Sequence, residues 1–495
     1  MKRKIIIVGG GVAGLTAGIY AQKAGFESEI YEKNDCTGGL CNGWMRDGHY
    51  IDNCIRWLTG TEEGTQLRRL WEEIGALSKD SVFVNDEVFY ASSLQGKTVT
   101  LWKDIDRTEK ELCKLSPQDE SEIHNFIETV KMAQCRKMPV EKPMDLMAPP
   151  ELIQLGKSMQ GMKKVAKEYG EITLRDYAKR FQSQVIRKLL TDFYTEESVV
   201  TSLIFAYASV TCQNGEIPAG GSRKMVNRIT NRYKELGGKV FLNHPVQKVN
   251  IEHDKAKGIE LKNGFTVEGD YIVCATDTYE SLYHLIGKSY VPKEWDAVYN
   301  ERSEHPVSSK FQIALSVEEE CCPVVGTLFC DCEKIKVATS DIERLCLIGY
   351  GYEPQFAPEG RTVLQLKVEQ TEIDFNYWSF FSQSMYEKKK REYTDLVLEQ
   401  LEKQFPALQG RYKILDIWTP RTYWKTCNAF QGAFMRYKTK AGVKKMASNG
   451  MLKQVSNLYL ASQWMQEPGG LPTAAAAGKF AIQHILRRER KYVSF

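Results

Sequence analysis

The chain has 495 residues, enough for two or three domains with large buried cores. Its 42% hydrophobic and 26% charged residues are a globular composition, and 67 basic against 63 acidic residues give only +4, which excludes the strongly basic balance of a nucleic-acid binder. No apolar run approaches the roughly 18 residues that a membrane-spanning helix needs. The start, "MKRKIIIVGGGVAG", sets basic residues before an apolar run as a leader does. That run ends after four residues, and Glu27, Glu29 and Glu32 follow soon after, so it reads as a strand.

Ile5–Val8 is a short apolar strand of the kind a parallel sheet covers on both faces. Gly9, Gly11 and Gly14 follow as G-x-G-x-x-G, and Val12 and Ala13 open a helix. The first glycine permits the turn, the second lets backbone approach a pyrophosphate, and the third lets helix and strand pack closely. The helix start supplies free N–H donors and partial positive charge. Glu32, beside Lys33, ends the next strand 18 residues beyond Gly14. An acid there accepts ribose hydroxyls of an adenosine and excludes a 2′-phosphate. The pattern predicts a dinucleotide site, and only one such motif is present.

Residues 81–210 read as helix-rich, with strands near 82–102. In "ELIQLGKSMQGMKKVAKEYG", Leu152, Leu155, Met159 and Met162 share a face flanked by Lys157, Lys163, Lys164 and Lys167. This is a packed helix with a solvated lysine face, a lid over a tunnel, or a membrane-contact helix. A helix over 221–236 stops at Gly237-Gly238, and strands follow at 239–242, 246–252, 256–261, 265–268 and 271–275. Strands fill 306–370, and a long helix begins in "FSQSMYEKKKREYTD".

Near the end, "LYLASQ" (458–463) is a strand. Gly469-Gly470 and Leu471-Pro472 then lead into a helix from near Thr473, and "LRRERKYVSF" is a solvated basic tail. The 13 cysteines are irregularly spaced, which predicts reduced thiols in a cytoplasmic protein. Cys321, Cys322, Cys330 and Cys332 lack paired metal-knuckle spacing, so no metal site is expected.

Several motifs recur in one order: the glycine loop, "GGLCNGWMRDGHYIDNCIRWLTG", "GEIPAGGSRKMVNRI", "FAPEGRTVLQLKV", "IWTPRTYWKTCNAFQGA" and "SQWMQEPGGLPTAAAAG". Together they resemble bacterial phytoene-desaturase-like and retinol-saturase-like FAD oxidoreductases across nearly the whole chain. The resemblance implies an α/β fold: a Rossmann-like FAD-binding domain of glutathione-reductase type, with an inserted α+β substrate domain and a helical cap. Residues 1–80, 211–290 and 426–495 would build the FAD domain, 81–210 the cap and 291–425 the substrate sheet.

The same resemblance implies that Gly38, Gly39 and Leu40, and later Val246, Ala275, Gln463, Gly470, Leu471 and Pro472, join the glycine loop around FAD. The activity implied is hydride transfer between flavin N5 and a lipophilic unsaturated molecule, in either direction; no oligomeric state is implied. Three departures stand out. Leu40 replaces a pyrophosphate-binding arginine, a charge that Arg46 or Arg56 would supply. Gln463 replaces an acid at the ribityl chain. Arg56, in "CIRW", stands where retinol-saturase-like relatives carry histidine. Lys310 resembles the strand lysine that amine-oxidase-like flavoproteins link through water to the flavin, which leaves amine oxidation as the alternative.

Overall fold

The computed structural model describes residues 2–84, 86–134, 138–438, 440–443 and 446–491; residues 492–495 of the basic tail lie outside them. A five-stranded sheet runs Leu458–Leu460, Tyr271–Cys274, Lys4–Val8, Glu27–Tyr31, Lys239–Phe241 in spatial order, and every pairing in it is parallel. Ile5, Ile6 and Ile7 are wholly buried at its centre, as a strand covered on both faces requires. The first strand is thus flanked by a segment from mid-chain, and the sheet's edge comes from near the C-terminus.

Helices Val12–Lys23, Gly221–Glu235 and Gly470–Arg488 cover this sheet. The alanine run 474–477 is buried against the first helix. A Cβ on Gly478 would fall 2.3 Å from Ala13 O, so small residues are what let the two helices meet at backbone distance. The last helix starts at Gly470 rather than near Thr473, because Gly469, at φ +85°, makes the turn that caps it.

A three-stranded antiparallel sheet (Val246–Glu252, Lys255–Leu261, Thr266–Glu268) follows the expected meander. The third sheet has seven strands, ordered Tyr412–Trp418, Ser309–Glu318, Arg361–Gln370, Ser340–Gly349, Gly326–Val337, Val88–Leu94, Lys97–Trp102. Its second member places Phe311, Ile313, Leu315 and Val317 in a core against helix Gln383–Gln404. The period-two alternation turns Lys310 and Gln312 to the other face.

Two sequence expectations change. The strands near 82–102 do not stay with the helices that follow them: Leu328 pairs with Ala91 in parallel, joining the hairpin to the seven-stranded sheet. The helix at 151–170 is two helices, Pro149–Ser158 and Gln160–Tyr169, broken at Met159. The first buries none of its residues and leaves Ile153 62% exposed, while the second buries Val165 and Tyr169. Leu152, Leu155, Met159 and Met162 therefore form no single packed stripe. Among the described residues the cysteines are free thiols, with Cys330 buried in the seven-stranded sheet, and no helix is long and apolar enough to cross a membrane.

Candidate active site

One cavity of about 1500 Å³ runs from the glycine loop to the seven-stranded sheet. Gly9, Gly11, Val12, Ala13, Glu32, Lys33, Gly38, Gly39, Leu40, Val246 and Ala275 line one end of it. Gly14 stays behind the wall, where a Cβ would fall 2.0 Å from Gly9 O, so hydrogen is the only side chain that fits. At Gly11 an added Cβ would meet nothing within 4 Å. Backbone there faces open space, at the start of a helix whose N-cap has no side-chain partner, and such a helix start favours an anion.

The second glycine pair is stapled to the first loop by Gly38 N–H donating to Gly10 O at 2.9 Å. Glu32, 6% exposed, accepts from Gly10 N–H at 2.7 Å through Oε2 and from Asn34 N–H at 2.9 Å through Oε1. These bonds fix the carboxylate's direction and leave it acceptor capacity toward the cavity. Lys33 Nζ donates to Lys425 O at 2.9 Å and to Asn428 Oδ1 at 2.5 Å, tying the loop to the later helix.

Gln463, Gly470, Leu471 and Pro472 line the cavity's middle. The Gln463 amide is engaged: Oε1 accepts Gly470 N–H at 3.1 Å, and Nε2 donates to Phe434 O at 3.4 Å. It braces the glycine turn. Two buried polar groups at this turn lack partners among the described residues: Thr473 Oγ1 and the Nε and Nη1 of Arg436. Arg436 is 3% exposed, stacks 4.1 Å over Tyr437, and leans against Gly469. A dry guanidinium and hydroxyl in want of acceptors fit a ligand rich in carbonyl and phosphate oxygens. The glycine cradle, the fixed acid and these orphaned donors together fit an extended dinucleotide.

Of the two candidate arginines, Arg56 lines the cavity. Arg46 sits at a hairpin end, half exposed, paired with Asp416 at 2.9 Å, and is not among the lining residues. Lys310 reaches the cavity with Nζ 3.8 Å from the Phe434 ring centre. Burial, then Lys367, pulls its pKa well down. Lys367, Glu369 and Lys438 share this wall. Burial alone would raise the Glu369 carboxyl, but Lys367, Lys310 and Lys438 hold it at about 2.

Asp277, also on the wall, is pushed up to about 6 by burial, against the backbone N–H groups of Phe430 and Tyr279 that donate to it. Sequence reasoning missed Arg436, Asp277, Lys367, Lys438 and Glu369. The polar positions 367 and 369, alternating with apolar ones in "VLQLKVEQ", were the one available sign that this strand shows a wet face.

A family model for flavin containing amine oxidoreductase matches residues 12–486. Among curated relatives, 4,4'-diaponeurosporene oxygenase of Staphylococcus haemolyticus is 23% identical over 521 residues, covering 99% of this chain and 98% of that protein. The chloroplastic prolycopene isomerase of Daucus carota is 23% identical over 446 residues, covering 84% and 69%. Among solved structures, an oxidoreductase from Methanosarcina mazei shares the fold, with a TM-score of 0.60 at 17% identity across 98% of this chain and 100% of its own. The cofactor that the cradle fits is accordingly FAD. The chain belongs to the flavin-containing amine oxidoreductase family, and it is an FAD-dependent oxidoreductase.

Proposed function

We propose that the enzyme transfers hydride to or from a hydrophobic unsaturated small molecule such as an isoprenoid or polyene lipid, as a desaturase or saturase. The observation that carries this reading is the aromatic arm of the cavity beyond the cradle. Trp57, Phe193 and Phe329 line it, with Phe193 centred 5.7 Å from Trp57 and 6.4 Å from Phe329. Such an arm holds a long apolar chain by burial and excludes water from the reacting carbon. The two curated relatives, named for 4,4'-diaponeurosporene and prolycopene, support a polyene as the chain.

FAD, when bound, supplies two-electron hydride chemistry. The chain's own contribution is placement. Gly11 and Gly38–Leu40 would hold the pyrophosphate, Glu32 and Lys33 the adenosine, and Val246 the adenine by its backbone. Ala275, Gln463 and Gly470–Pro472 would set the ring end. In this reading 1–80, 211–290 and 426–495 form a nucleotide domain of glutathione-reductase type, with 81–210 as a helix-rich substrate and cap region whose hairpin joins the substrate sheet of 291–425. A peripheral membrane contact at Met144, Leu152 and Ile153, all exposed, would give a lipophilic substrate a short route in.

Amine oxidation is the second reading, favoured by the family description and by Lys310 on the cavity wall. Positive charge from Lys367, Lys438 and Arg56 weighs against a cationic amine at that wall. Anaerobic titration of the FAD-loaded enzyme separates the two. Bleaching of the visible flavin band by a polyene and not by primary amines is the expected result. Bleaching by amines alone would overturn it.

A further inference from the structure

Around Lys310 the sheet wall of the cavity gathers more basic groups than the one acid among them, Glu369. Lys310 pairs across the strands with Glu369, and Gln312 with Lys367. Lys367 Nζ lies 3.3 Å from Glu369, which also accepts from Ser308 Oγ at 3.2 Å. Lys438 and Arg56 complete this part of the wall from two other segments. Glu369 therefore faces Lys310, Lys367 and Lys438, and Arg56 stands near Lys310. No hydrogen bond or ion pair engages the Arg56 guanidinium among the described residues. Like charges gathered away from bulk water are costly, and an anion among them relieves that cost.

We propose that Arg56, Lys310, Lys367 and Lys438 form an anion subsite at the sheet end of the substrate cavity, and that the substrate is an apolar chain ending in a carboxylate. The inference rests on the lipophilic reading of the cavity and narrows it. The aromatic arm takes the chain, and the cationic wall takes its head group. Charge-assisted hydrogen bonds from a guanidinium and ammonium groups are the strong kind, and they fix which carbon of the chain stops beside the cofactor.

The charge on this wall depends on its neighbours. Lys310 is faced by Lys367 and Glu369 from the adjacent strand, by Arg56 from its loop, and by Cys346 from strand Ser340–Gly349. Burial, Lys367 and Arg56 lower its pKa, and burial lowers that of Lys438. Glu369 is already ionised, and burial keeps the Cys346 thiol protonated. A carboxylate arriving between the two lysines favours the charged form of both.

The test is titration of the FAD-loaded enzyme with arachidonate and with methyl arachidonate, followed by perturbation of the flavin spectrum. The acid should bind at least about tenfold more tightly than the ester. Arg56→Met and Lys367→Gln should each erode that preference, and Arg56→Lys should largely keep it. Retention of FAD by each variant certifies its folding.

Equal affinity for acid and ester in the unaltered enzyme overturns the subsite. So does an acid preference untouched by Arg56→Met and Lys367→Gln, or variants that shift only the flavin potential. A polyene that bleaches the flavin while the acid shows no preference defeats the subsite alone. Acid preference without polyene oxidation defeats the reaction assignment alone.

Discussion

The cavity has two facing walls built in opposite ways. At the glycine loop, backbone faces the ligand and side chains are excluded: Gly14 has no room for a methyl, and Gly11 has nothing but open space before it. On the sheet wall, Lys310, Lys367, Lys438 and Arg56 arrive from separate strands and loops. Their charge states are set by one another. The first wall depends on local geometry, which tolerates almost no substitution. The second depends on long-range assembly, where single changes should shift energies without dismantling the fold.

The sharpest break in that comparison lies within the glycine loop itself. Gly14→Ala puts a methyl 2.0 Å from Gly9 O, forcing helix and strand apart. Overpacking of this kind costs about 1–3 kcal/mol or more. Colourless, poorly soluble protein is the expected product. Gly11→Ala has its methyl in open space and a φ of −70° that alanine accepts. It should fold with an unchanged melting temperature as apoprotein yet bind FAD about tenfold more weakly, near 1.4 kcal/mol. If both variants lose folding equally, the cradle is structural and not a ligand surface.

On the sheet side the largest effect belongs to Arg344. It pairs with Asp192 and, at 2.6 Å, with Asp331, and it donates to Ser93 O at 2.7 Å. These bonds clamp helix Gln184–Asp192 and strand Val88–Leu94 to the sheet. Arg344→Met leaves Asp192, 4% exposed, without its partner, a loss of about 3–5 kcal/mol. Chemical denaturation should show this as an earlier transition of the sheet half, with FAD released only later. Simultaneous loss of both would show that the two walls unfold as one unit.

A smaller effect attends Glu369. Its folded pKa of about 2 lies below the ordinary 4.5. Its contribution to stability is therefore complete above about 4.5 and fades as pH falls toward 2. Glu369→Gln should lower the melting temperature modestly at neutral pH and flatten the acid limb of the stability profile. Because the carboxylate opens onto the cavity, solvent screens the effect. An unchanged acid limb would mean that the lysines do not hold this group.

The glycine wall was legible in the sequence because its residues are contiguous and each type answers a local steric demand. Gly9, Gly11, Gly14 and Glu32 could be placed from spacing, and Gly38 and Gly39 from the family resemblance. The sheet wall was not. The pairing of Leu328 with Ala91 links segments that no local pattern connects. Lys310 was noticed singly, but its meaning depends on Lys367, Glu369 and Lys438, which meet it only in the folded sheet. Gln463, expected at the cofactor, lines the cavity, and only the fold shows that its amide also braces Gly470 and Phe434.

Arg46 supplies the smallest and most discriminating effect. The sequence offered Arg46 and Arg56 equally as substitutes for the arginine missing at Leu40. Arg46 lies on strand Gly43–Arg46, 51% exposed, its guanidinium on Asp416 at 2.9 Å. Exposed pairs of this kind contribute about 0–1 kcal/mol. Arg46→Ala should therefore leave FAD affinity, the flavin spectrum and any acid-over-ester preference unchanged, with at most a slight loss of stability. Arg56→Met, ten positions on in the same motif, should change binding at the cavity while leaving stability nearly untouched. Equal effects from both would mean that general positive charge, rather than a placed guanidinium, governs binding, and the contrast between the two walls would lose its basis.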